Sequence, residues 1–188
     1  MLVPLTELWL PILVAAVAVF VVSSVVHMAL PIHKGDMQKL PGEDQLLAAM
    51  RAQKLAPGSY MFPCADSMQD MGTPEMQAKF AQGPIGNMNV IASMSIGRSL
   101  GQWFVLSLVI SACAAYLAGM VLGPGADAKT IFRLTSTAAL LGYGLSHVQD
   151  SIWKGVGWGI SVKFVFDGVL YALATGAAFA WLWPAAGA

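Results

Sequence analysis

Charge is scarce in this chain. Asp, Glu, Lys and Arg make up 11% of its 188 residues, against about 25% in an ordinary soluble domain, which excludes a water-facing surface large enough to keep the chain in solution. The few charges cancel, ten basic against ten acidic, so no basic excess is available to hold nucleic acid and there is no acidic tail. Cysteine is scarcer still. Cys64 lies in a polar segment and Cys113 in an apolar run, a pair that suggests neither a disulfide nor a zinc spacing, and Cys113 reads as a small packing residue. No GxSxG, HExxH, P-loop or dinucleotide fingerprint occurs. The alternate glycines from Gly155 to Gly159 join two apolar runs instead of a strand and a helix, so they make no phosphate cradle. No Lys or Arg precedes the first apolar run, which carries Glu7; this is not the pattern of a cleaved signal peptide, and the run is expected to stay as a helix. The absence of internal or inverted repeats argues against the usual transporter architectures.

Long apolar runs are what the chain has in place of charge, and 57% of its residues are hydrophobic. Between Glu7 and Lys34 lie 26 residues without a formal charge, and between Arg98 and Asp127 lie 28, each more than the roughly 20 a bilayer core demands. A third run, between Arg133 and Asp150, has 16, about 24 Å as helix, and is extended in this reading to Trp153. The fourth begins after Gly159 and stops at Pro184. The expectation is an all-α integral membrane protein, a single membrane domain of four transmembrane helices over residues 7–31, 99–123, 131–153 and 160–183. Val-rich composition favours strands in water, but an isolated strand in lipid leaves its backbone unsatisfied. The six tryptophans fall near the predicted edges, where an amphipathic ring prefers to sit.

A partly helical polar segment, residues 32–98, separates the first two spans. One surface helix is expected over Pro41–Lys54, with Glu43 and Asp44 in its first turn and Arg51 and Lys54 in its last. Another starts at Thr73 as N-cap with Pro74 following and stops near Gly83-Pro84. Lys34, Lys39, Arg98, Lys154 and Lys163 flank one set of span ends and only Lys129 and Arg133 the other, which puts both termini outside in a bacterial inner membrane.

The polar residues of the last two runs form stripes. Tyr143, His147, Asp150 and Lys154 share one helical face, and so do Lys163, Asp167, Tyr171 and Thr175. Counted from Gly157, His147 and Asp167 are each ten residues away, and Tyr143 and Tyr171 each fourteen. In an antiparallel hairpin such pairs lie at equal depth. A lone carboxylate at the helix centre costs about 2.5–3.5 kcal/mol, less near an interface, so Asp167 is expected to pair with His147, with Lys163 or with Arg98. The pair is either a clamp that sets hairpin register or a site whose proton responds to pH. His27 and His147 share an end and raise the thought of a haem, but interfacial histidine has a simpler explanation in its tolerance of both environments. No cofactor and no metal site is therefore expected, although Met61, Cys64, Met68, Met71 and Met76 cluster in sixteen residues; a contact surface explains the methionines better than copper does. Gly97 and Gly101 make a GxxxG at the mouth of the second run. Ala172, Gly176 and Ala180 offer a small-residue ridge for another helix, and with Met61 and Met68 they form the expected contact surface for other membrane subunits or a second copy. The functional expectation is a non-catalytic accessory, scaffold or assembly subunit of a larger membrane complex. The competing class is a small transporter or proton-coupled carrier built on the His/Asp pair.

Overall fold

The computed structural model describes residues 2–187. The chain divides into two compact units: one comprises the residues up to Asp36, Ser95–Ile152 and Val156 onward, the other Met37–Met94 with Trp153–Gly155.

The first unit is a ring of four helices. α1 (Trp9–Ser24) packs on α4 (Ile96–Val121) and α7 (Trp158–Leu182), and α5 (Ala128–Tyr143) packs on the same two. Small residues line the buried faces: Ser107, Ser111, Ala114, Ala115, Ala118 and Gly119 on α4, and Gly168, Ala172 and Gly176 on α7. They let backbones approach closely, the usual basis of helix association in lipid. A Cβ on Gly168 would stand 2.5 Å from the Gly144 Cα, and one on Gly119 would stand 2.4 Å from the Val3 carbonyl oxygen. Three buried hydroxyls are satisfied within their own helices: Thr135, Thr175 and Ser107 each donate to the carbonyl four residues back. Outward faces carry exposed Leu13, Val17, Val21, Val105, Val109, Val162, Phe166 and Leu173, a surface suited to hydrocarbon. The start of the chain, the end of α4 and the end of α7 meet at one end of the ring: Leu2 N–H donates to the Gly119 carbonyl at 2.7 Å, Gly125 N–H to the Pro184 carbonyl at 2.8 Å, and the Trp183 indole to the Gly123 carbonyl at 3.0 Å.

Three helices are long and apolar enough to cross a membrane: Trp9–Ala29, Ile96–Val121 and Trp158–Leu182. The expected third span does not reach that length. Its helix stops at Tyr143 after 16 residues, and a separate α6 covers Ser146–Lys154. Gly144 interrupts it where α7 presses closest, so the fourfold spacing of the polar stripe does not continue through one helix. The first span also ends irregularly. After Ser24 the helix widens into a π turn over Val25–Ala29, Leu30 turns extended as a residue before proline must, and Pro31–His33 forms a 3₁₀ turn.

The second unit contains α2 (Glu43–Ala52), β1 (Gly58–Phe62), α3 (Pro74–Gln82) and β2 (Gly86–Val90). α3 begins and ends as its sequence indicates, with the Thr73 hydroxyl accepting from the Met76 N–H and Gly83 closing the helix. The strands pair antiparallel, Gly58 opposite Val90 and Phe62 opposite Gly86, a two-stranded sheet closed across α3 that the reading of a partly helical segment does not contain.

Candidate functional site

Asp167 projects from α7 near the end of the ring opposite the chain termini, and it is 1% exposed. A carboxylate so placed needs partners, and the sequence offers His147, Lys163 and Arg98. The structure supplies others. His33 Nε2 lies 2.8 Å from Asp167 Oδ2, and His27 Nε2 lies 3.7 Å from the same oxygen. Both imidazoles come from the irregular end of the first span: the π turn carries His27 and the 3₁₀ turn carries His33. Their rings stack with centroids 4.4 Å apart. Asp167 Oδ1 accepts no hydrogen bond from the described residues, an exception to the rule that buried polar atoms are paired.

The network continues outward. His33 Nδ1 lies 2.8 Å from Asp36 Oδ2, and Lys163 Nζ donates to the other Asp36 oxygen. Lys163 and then His33 hold the Asp36 carboxyl below the usual carboxylate range. Both ring nitrogens of His33 thus face carboxylate oxygens. The Tyr171 hydroxyl, one turn beyond Asp167, lies 3.2 Å from His27 Nε2.

The expected pair of His147 and Asp167 does not form. His147 stacks on Phe164 with centroids 4.9 Å apart and lies 3.9 Å from Asp150 within its own helix. Beyond the break at Gly144, α6 meets α7 through His147 on Phe164 and through Ser151, whose hydroxyl donates to Ser161 Oγ at 2.7 Å. Before the break the two helices do meet, and the Tyr143 and Tyr171 rings pack edge to face at 5.6 Å. Lys163 reaches Asp36 and not Asp167, and Arg98 is exposed at the start of α4. Trp103, expected at a membrane edge, turns inward instead: its indole donates to Ser23 Oγ at 2.9 Å and its ring packs against both tyrosines.

The contact surface also changes. Ala172 and Gly176 are buried inside this chain, a Cβ on Gly176 would meet Phe132 and Ser136 at about 3 Å, and Ala180 packs against the Phe179 core. That ridge is consumed by internal packing and is not a docking face. Met61 and Met68 are exposed, and Gly97 and Gly101 face open space.

His33 and Asp36 were missed by sequence reasoning. The signal was an imidazole and a carboxylate three residues apart, directly after the proline that ends the first span. No protein-family model, curated protein or solved structure matches this chain, so the site is read from its own chemistry.

Proposed function

We propose that the protein acts through this site as a small membrane carrier for a cation, with Asp167 as the buried anionic group and His27 and His33 facing it. The observation that carries the reading is the buried carboxylate with one oxygen unpartnered, surrounded by backbone that departs from regular helix. Interrupted helices at membrane depth mark ion and substrate sites because they free polar groups where these are buried in protein or line a cavity. Here the π turn lies on one side of Asp167 and the Gly144 break on the other. In this reading α5, continued by α6, completes a fourth crossing, both termini face outward, and the site opens to the cytoplasm of a bacterial cell.

Cation uptake into liposomes holding the purified chain tests the proposal. Asp167→Asn keeps the shape of the side chain and removes its charge, and is expected to lower uptake by about 10-fold or more while the protein still elutes as the wild type does. Unchanged uptake rejects the carrier.

A second reading, the accessory subunit of a larger complex, retains the exposed Met61 (45%) and Met68 (86%) in its support, since methionine adapts to irregular partner surfaces. Crosslinking followed by purification in mild detergent distinguishes the two; a lone monomer removes the subunit reading.

A further inference from the structure

We propose that His27, His33 and Asp167 are the ligands of a divalent transition-metal ion of the zinc class. The inference deepens the carrier reading at the same site, although a bound ion does not require transport.

One ligand atom each from Asp167, His27 and His33 all lie within 4.8 Å of one another. Ligand atoms placed about 2.0–2.2 Å from a tetrahedral zinc ion stand roughly 3.4 Å apart. The separations of 2.8 Å and 3.7 Å from Asp167 Oδ2 bracket that value. Two neutral imidazoles and one carboxylate suit zinc, iron(II) or cobalt(II). Calcium and magnesium prefer all-oxygen shells, and copper(I) prefers sulfur.

The surroundings match what such a shell needs. A ligating histidine typically donates its other ring N–H to a carboxylate, which fixes the ring and raises its basicity. Asp36 stands at that position, 2.8 Å from His33 Nδ1, and is itself held by Lys163. The ion takes the place of the proton between His33 Nε2 and Asp167 Oδ2, that proton goes to solvent, and the His33 Nδ1–H goes on donating to the Asp36 carboxylate. Asp167 Oδ1, unpartnered and buried, gains an electrostatic partner. His27 gives up its contact with the Tyr171 hydroxyl. Its side chain is 39% exposed, which leaves a way in for the ion, and three protein ligands leave a fourth position open.

Cobalt(II), titrated into the purified full-length chain in detergent, tests the site through its visible absorption, and zinc chloride competes in the same cuvette. One equivalent per chain, with the strong bands of tetrahedral cobalt and displacement by zinc, is expected. His27→Ala removes an exposed ligand with little risk to the fold and should abolish those bands. Asp36→Asn, which touches no ion, should weaken binding by about 10- to 100-fold. His147→Ala should change nothing. No saturable binding by the monodisperse wild type overturns the proposal, and so does binding unaffected by His27→Ala and Asp167→Asn; the network is then a structural tie between the first span and α7. Metal binding without uptake rejects the carrier and keeps the site, whereas Asp167-dependent uptake of another cation without cobalt binding does the reverse.

Discussion

Lys163, Asp167 and Tyr171 follow one another at single-turn intervals on α7, yet each side chain finds a different partner on the first span or just after it: Asp36, His33 and His27. One helical face thereby binds a ten-residue stretch that contains π and 3₁₀ turns but no α-helix. A contrasting acid is Asp127, the N-cap of α5, whose carboxylate accepts from the Lys129 and Thr130 N–H groups at 3.0 and 3.3 Å. Hydrogen bonding to Thr130, followed by the backbone donors, holds its carboxyl below the usual range. A depressed pKa in the folded state contributes stability above the unfolded value, and that contribution is lost as pH falls through the folded one. Asp127→Ala should therefore lower Tm at neutral pH by about 2–4 °C, and the gap should shrink when melts are repeated at about pH 3. A gap independent of pH means that the cap does not act through its charge.

At the scale of the elements, the irregular pieces matter most. A regular helix over residues 7–31 and another through Gly144 are what the apolar runs suggest; the structure has a π turn and a break at these places. Close approach explains the break, since the Gly144 and Gly168 backbones touch. Gly168→Ala should accordingly destabilise the bundle by about 1–3 kcal/mol, the usual cost of overpacking, whereas Gly97→Ala, which meets open space, should be neutral or raise Tm slightly. Thermal melts of both variants in one detergent provide the comparison. Equal Tm values show that the helices do not need the contact. α3 was legible because its cap, proline and terminating glycine are local signals. β1 and β2 were not, because their pairing joins residues such as Tyr60 and Met88 that no local pattern connects.

For the whole molecule, the proposed topology makes a sidedness prediction. In a chain lacking Cys64 and Cys113, a cysteine at Ala128 should react with an impermeant maleimide from outside intact cells, and one at Gly97 only after the membrane is opened. Both positions are exposed. The reverse pattern inverts the orientation, and reaction of both from one side means an even count of crossings between them, which removes the reading.

Hydropathy alone pointed to lipid, because so few charges make a poor water-facing surface, and of the four runs that it marked three form helices long and apolar enough to cross a membrane. Which groups surround Asp167 was decided by tertiary structure. Equal distance from a turn predicts partners only while both helices stay regular, and the third run ends its helix one turn before His147. The imidazoles that reach the acid belong to residues 27 and 33, far away in sequence, and only the packing of α1 against α7 brings them to it.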